Sequence, residues 1–441
     1  MTETKITIIG GGLAGCEAAW QIAKRDCPVI LYDMKPLKFS PVHSSEMLAE
    51  LVCSNSFRSA NPDSAVGLLK EEMRLLDSLI MQAANATSVP AGKALAVDRH
   101  SFASFITEKI NSHPLITVIR EEITRLPGGT DADHLTILAT GPLTSNPLAA
   151  SLQEFTGQSL SFYDAIAPIV EADSLNRDII YQASRYDDGP GDYLNCPMNR
   201  DEYDNFIQAL ATAEKVPLKE FEKKKYFEGC LPIEVMQERG DNTLRFGPMK
   251  PVGLPDPRTG HDPYAVVQLR MENREGSHYN MVGFQTKLTY GEQKRVFRMI
   301  PGMEQAQFAR LGSIHRNTFV CGPEVLQPSL QCKKNKNLLL AGQLTGVEGY
   351  VESTAMGLLA GINAARLSKK EQPVVPPPET AFGALIIHLT ETLIKRFQPS
   401  NINFGLFPPI GRKMPKRERG PFRSQKALAA MNDWLNQKSL L

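Results

Sequence analysis

The sequence predicts an α/β chain in which a domain built on a parallel sheet is interrupted by an inserted α+β domain. Three observations carry that reading. A short apolar strand, a glycine-rich turn and a helix open the chain, and a second strand follows. Buried-strand patterns return at Leu135–Ala139 and Asn337–Ala341, each with a glycine close behind. From about Phe162 to Phe319 the character changes to short strand-like runs broken by Pro, Gly and charge. The expected division is residues 1–165 and 331–441 for the first domain and 166–330 for the insert.

Lys5–Ile9 is mostly β-branched, which suits a pleated, buried strand. Ala14 to Lys24 reads as a helix, with Ala18, Ala19, Ile22 and Ala23 apolar and Asp26 and Pro28 ending it. Val29–Tyr32 is the second strand, closing in Asp33. Residues 40–62 are rich in Ser, Asn and Pro and read as a loop or broken helix. Ala65–Ala84 carries a helical period with its charges on one face, and Phe102–Ile110 is a further helix. Beyond Ala341 come a small-residue helix (Ser353–Leu367), a Pro-rich linker (Pro373–Pro378) and two terminal helices, Phe382–Arg396 and Ser424–Gln437.

The 441 residues are 42% hydrophobic, enough for a substantial core, and their length fits roughly two or three domains. With 49 Lys+Arg against 48 Asp+Glu, a globally basic nucleic-acid binder is excluded; any nucleic acid would be held by local patches. No leader pattern and no apolar run of about 18 to 20 residues is present, so a soluble cytoplasmic protein without membrane contact is expected. The cysteines (Cys16, Cys27, Cys53, Cys196, Cys230, Cys321, Cys332) are odd in number, scattered and free of CxxC spacing. Neither a disulfide framework nor a metal site is expected, and nothing points to an obligate protein partner.

Gly10, Gly12 and Gly15 form G-x-G-x-x-G between strand and helix. Glycines there permit a tight turn and close approach of backbone to a pyrophosphate, and the helix N-terminus offers free N–H groups to the phosphates. Asp33, about 20 residues on, suits the ribose hydroxyls. Gly10, Gly11, Gly12, Leu13, Ala14, Gly15 and Asp33 are therefore candidate cofactor residues. FAD is favoured over NAD by two further segments. Thr136–Gly141 resembles the "ATG" strand of two-dinucleotide flavoproteins, adding Thr140 and Gly141. Asn337–Gly342 resembles their last FAD motif, adding Gly342, although Gln343 stands where Asp is usual. A second G-x-G-x-x-G is missing, so a pyridine nucleotide would visit the flavin transiently.

With these residues in place, the sequence resembles the folate- and FAD-dependent tRNA (uracil-5-)-methyltransferases. The matching stretches are GGGLAGCEAAW (10–20), MLAELVCSNSFRS (47–59), FEGCLPIEVM (227–236), AGQLTGVEGYVESTAMGLLAGINAA (341–365) and NINFGLFPPI (401–410), which span nearly the whole chain. The resemblance implies a glutathione-reductase-type FAD domain interrupted by an insert. It implies a methylene group taken from 5,10-methylenetetrahydrofolate, tightly bound FAD that carries and reduces it, and NAD(P)H that recharges the flavin. The product would be 5-methyluridine at uridine 54 in the T-loop of tRNA. A sub-group acts on 23S ribosomal RNA, which keeps that target open. A small-molecule flavin oxidoreductase is the alternative from another class.

Uracil C5 is a poor nucleophile until a thiolate adds to C6, so the chemistry asks for a reactive cysteine and a base. By the resemblance, Cys230 is the nucleophile and Cys53 the second catalytic cysteine, as general base or in control of the flavin adduct. Tyr350 would stack on the isoalloxazine, and Glu352 and Ser353 would hydrogen-bond the flavin or cap the helix. His315 would stack on the folate pterin. Two basic runs read as RNA contacts, Lys223, Lys224 and Lys225 before Cys230, and Lys413, Lys416 and Arg417 near the C-terminus. A solvated basic face is the other meaning of such runs.

Overall fold

A computed structural model describes residues 4–127, 134–157, 160–187, 189–217, 231–438 and 440. The first sheet has five parallel strands, β1 (Lys5–Ile9), β2 (Val29–Asp33), β6 (Ile116–Arg120), β7 (His134–Leu138) and β16 (Leu338–Leu340), in the order β16–β7–β1–β2–β6. Ile8 stands opposite Leu31 on one side and Ile137 on the other, which places β1 at the centre. The chain runs from β1 to β2 in one direction and returns on the far side as β7, so a crevice opens at the carboxyl ends where the order reverses.

Two helices cover the centre of this sheet, Leu13–Ala23 and Tyr350–Ser368. Their small residues let the backbones meet. A Cβ on Gly357 would lie 2.2 Å from the Ala14 carbonyl oxygen, and one on Gly361 would lie 2.6 Å from that of Ala18. The later helix is buried from Val351 to Ala365, which is why its sequence shows little amphipathic period.

Several elements differ from expectation for local reasons. The predicted helix over Ala65–Ala84 is two helices, Ala65–Leu75 and Leu79–Ala86. Asp77 takes φ 55°, and the Ser78 hydroxyl accepts the Met81 N–H at 3.3 Å, so a new N-cap interrupts the pattern. The Ser/Asn-rich stretch contributes β3 (Ser56–Ser59), which pairs with β5 (Ala94–Val97) beside β4 (Ser88–Val89). The helix predicted from Phe102 begins at Arg99, capped by the Asp98 carboxylate on the Ser101 N–H at 2.9 Å. Near the C-terminus the helices are Ala381–Glu391 and Lys416–Lys438. The latter starts well before Ser424 because its first turns are polar and carry no apolar stripe.

The insert is reached through β8 (Leu160–Ala165) and left through β15 (Ile314–Phe319), which pair antiparallel with Ala165 opposite Ile314. Between them lies a six-stranded antiparallel sheet of β9 (Ile169–Glu171), β10 (Tyr181–Ala183), β11 (Tyr193–Met198), β12 (Ala265–Met271), β13 (His278–Met281) and β14 (Phe308–Arg310), in the order β10–β11–β12–β13–β9–β14. One face of it packs on the helix Arg200–Thr212 through Tyr203, Phe206 and Leu210, making a second core from Val170 to Ala306. The first core resumes at Val320. No described helix is long and apolar enough to cross a membrane.

Candidate active site

A deep cleft lies at the carboxyl ends of β1, β2, β7 and β16. Of the candidate cofactor residues, Gly10, Gly11, Gly12, Leu13, Ala14, Asp33, Thr140, Gly141, Gly342, Tyr350 and Ser353 line it. Gly10 takes φ +111° and passes so near β7 that a Cβ would sit 2.5 Å from the Ala139 carbonyl oxygen. Gly15 lies behind the cleft, where a Cβ would strike the Gly10 carbonyl at 1.8 Å. Gly12 is different, since a Cβ there would meet nothing within 4 Å. Its open face is the helix N-terminus itself, where free N–H groups would suit a phosphate.

The Asp33 carboxylate is held in place by backbone. Its Oδ2 accepts the Gly11 N–H at 3.1 Å and its Oδ1 accepts that of Lys35 at 2.8 Å. Each oxygen keeps a lone pair for a ribose hydroxyl. Turn, helix end and carboxylate thus fit the ADP half of FAD. The cleft is also walled by Gly342, Gln343, Tyr350 and Val52. Gln343, in the position usually taken by Asp, donates its amide to the Glu348 carboxylate at 2.6 Å.

Tyr350 begins the long helix, and its phenolic oxygen accepts the Cys53 N–H at 2.8 Å. The Cys53 carbonyl accepts from Arg99 Nη2 and Arg310 Nη2, both at 2.8 Å. Burial pushes the Cys53 thiol up to about 12, with Asp164 adding and the Arg310 and Arg99 guanidiniums opposing. Cys53 is therefore a neutral thiol beside the cleft. Glu352 does not line the cleft. It is fully buried, pairs with Arg58 and accepts the Ile402 N–H at 2.8 Å, tying the Asn401–Gly405 segment to the helix. His315 lies on β15 opposite Asp164, outside the cleft lining. Burial, with the Arg310 charge, pulls its imidazole down to about 4, so the ring is neutral.

Cys230 and Lys223, Lys224 and Lys225 lie outside the described residues. Just past them Leu231 is buried, and the Ile233 N–H donates to the Gln285 carbonyl at 2.8 Å. Lys413 joins Arg412, Arg419 and Arg423 around a surface concavity, while Lys416 and Arg417 are exposed at the start of the last helix. Arg423 stands over the rings of Phe404 and Phe407, at 5.8 and 5.7 Å. The basic helix is thereby joined to the Asn401–Gly405 segment.

Sequence reasoning missed Arg99, Arg310, Lys35, His43 and Glu50. The last three line the cleft, with Lys35 Nζ 3.5 Å from the Glu50 carboxylate. Only the 47–59 stretch, which holds Glu50, offered a signal; the arginines are brought in from distant strands and helices.

The chain matches the family model described as "Glucose inhibited division protein A" over residues 5–372. It is 66% identical over 435 residues to the "Methylenetetrahydrofolate--tRNA-(uracil-5-)-methyltransferase TrmFO" of Desulfotalea psychrophila, covering 98% of this chain and 97% of that one. To the protein of the same name from Geobacter sulfurreducens it is 59% identical, covering 98% of each. Among solved structures it resembles Aquifex aeolicus GidA in its form I crystal, with a TM-score of 0.73 and 16% identity over 100% of this chain and 76% of that one. At that identity the likeness is one of fold.

Proposed function

Since this chain belongs to the glucose-inhibited-division flavoproteins, and within them to the methylenetetrahydrofolate--tRNA-(uracil-5-)-methyltransferases, we propose that it methylates uridine 54 in the T-loop of tRNA, in the cytoplasm. The observation that carries the reading is 66% identity to one of those enzymes over 98% of the chain. The enzyme is a folate-dependent tRNA uracil-5-methyltransferase with FAD as its cofactor. When bound, the flavin supplies the electrons that turn a methylene into a methyl group.

The chain's own residues do the rest. Gly10, Gly12 and the N-terminus of Leu13–Ala23 hold the pyrophosphate, and Asp33 holds the ribose. Tyr350 and Ser353 line the same cleft and would stand beside the flavin ring. Cys230 adds through its sulfur to C6 of uracil, and C5 then attacks the folate-derived methylene. The C5 proton leaves to a base as the nitrogen that carried the methylene is expelled, hydride then adds to the exocyclic methylene, and departure of the Cys230 thiolate from C6 restores the ring. The raised Cys53 thiol favours a part as proton holder beside the cleft over that of a resting base. The neutral His315 ring suits stacking on a pterin. Lys413, Lys416 and Arg417, with Arg412 and Arg419 beside them, supply phosphate contacts that position the RNA.

The test follows a carbon label from methylenetetrahydrofolate into an unmodified tRNA transcript, with NADPH present. Label recovered as 5-methyluridine in the T-loop is the expected result. Label found only in a 23S ribosomal RNA fragment would move the target, and label in neither RNA would overturn the reading.

A further inference from the structure

Every backbone polar group of Cys53 is bound by a side chain from elsewhere in the molecule. Its N–H goes to Tyr350 on the long helix. Its carbonyl takes Arg99, from the helix Arg99–Ser112 of the first domain, and Arg310, from β14 of the insert. The neighbouring carbonyls are gripped by the same pair, Leu51 by Arg99 and Val52 by Arg310 at 3.2 Å. Arg99 is itself fixed by Glu272, just past β12, through Nε at 2.6 Å and Nη2 at 3.3 Å. Two residues on, Asn55 is stitched to the insert by Arg270 Nε at 2.9 Å and by the Met271 carbonyl at 3.0 Å.

The Leu51–Asn55 loop is thus a seam between the two domains, and Val52 and Tyr350 are also walls of the cleft. Charged donors make the stronger hydrogen bonds, and a guanidinium spanning two carbonyls sets direction as well as distance. Arg310 is half-buried, and its buried Nε has no hydrogen-bond partner among the described residues, so the hydrogen bonds its guanidinium makes there go to this loop.

We propose that Arg99 and Arg310 are positioning residues for the methyl transfer, gripping the Cys53 backbone from opposite domains so that the insert sets where the thiol stands against the cleft. This rests on the reading that Cys53 takes part in the reaction. A shift of the insert when RNA seats on it would be carried to the thiol through Arg310.

The experiment uses the FAD-bound full chain as wild type, Arg310→Lys and Arg310→Met. Lysine keeps the charge and much of the reach but lacks the planar fork that aims two donors in fixed directions; methionine keeps only the stem. Iodoacetamide labelling of the Cys53 peptide is timed by mass spectrometry, and kcat and KM for a tRNA transcript are measured beside it. Both variants are expected to label Cys53 about tenfold faster and to lose about tenfold in kcat, with KM for tRNA within about twofold and FAD content unchanged. Labelling and kcat within about twofold of wild type would overturn the proposal. If Arg310→Met fails to fold, the same two readouts on Arg310→Lys decide between these outcomes. Full activity in Cys53→Ala would remove Cys53 from the reaction, while the labelling rates would still decide whether the arginines hold it.

Discussion

Tyr350 and Cys53, 297 positions apart in the chain, are joined by a 2.8 Å hydrogen bond from the Cys53 N–H to the phenolic oxygen. The bond links the first residue of a buried helix to a loop at the domain seam, and both residues border the cleft or its wall. Tyr350→Phe keeps the ring, which tilts at 50° to that of Phe57 with 5.7 Å between centroids, and removes only the acceptor. Loss of one such bond is expected to cost about 1 kcal/mol, more if the N–H is left dry. FAD should stay bound, kcat should fall several-fold and the visible flavin spectrum should shift. An unchanged spectrum and rate would show that the loop keeps its place without the phenol.

The glycine turn separates fold from binding. Gly15→Ala puts a methyl 1.8 Å from the Gly10 carbonyl, so the apo-protein itself should melt lower. Gly12→Ala meets nothing within 4 Å of protein and should leave the apo melting temperature unchanged, yet weaken FAD at least tenfold because the methyl occupies the phosphate approach. Calorimetric melting and flavin titration of the two variants check both halves.

Glu352 bears on stability. It is buried, pairs with Arg58, whose side chain is 37% exposed, and anchors Ile402. Glu352→Ala strands the Arg58 charge and the Ile402 N–H. A cost of about 1 to 3 kcal/mol is expected, below the value for a wholly buried pair because water screens Arg58. Since Glu352 lies off the cleft, FAD affinity should change little. Loss of FAD with an unchanged melting temperature would reverse that assignment.

His315 predicts a pH effect of definite sign. Its native pKa is pulled down to about 4, below the ordinary 6.5 of an unfolded chain. Between those values the unfolded chain binds the extra proton, so stability falls as pH drops from about 6.5 towards 4. His315→Gln should flatten that part of a melting-temperature profile, and an NMR titration of the ring should show no protonation above pH 5.

The basic start of the last helix predicts a salt signature. Lys416→Ala should weaken RNA binding uniformly across sequences and lower the slope of log K against log salt by roughly 0.7 to 0.9. An unchanged slope would mean that Lys416 faces only solvent.

The strand, turn and helix from Lys5 to Ala23 were legible because each uses a local signal: β-branched residues, glycines and small apolar spacing. Cys53 was singled out only through the resemblance to known enzymes, since a half-buried cysteine carries no local mark of chemistry. The break at Asp77–Ser78 was hidden because the hydrophobic period runs on through it, while a serine cap decides where the second helix begins. Arg99 and Arg310 were beyond reach for a different reason. Their meaning lies in pairing a helix of one domain and a strand of the other with one loop, and no periodicity records a contact across some 250 residues.

The antiparallel pair β8 and β15 places the two crossings between domains side by side. During synthesis the insert, with its own core, can close while the first domain still lacks its last strand and the helix that seats against Ala14 and Ala18. The N-terminal residues must therefore wait on the ribosome for a partner that emerges only after the whole insert. Premature termination just past the insert would release a folded sheet attached to an unfinished cofactor domain, with the apolar side of its first helix laid bare to chaperones and proteases.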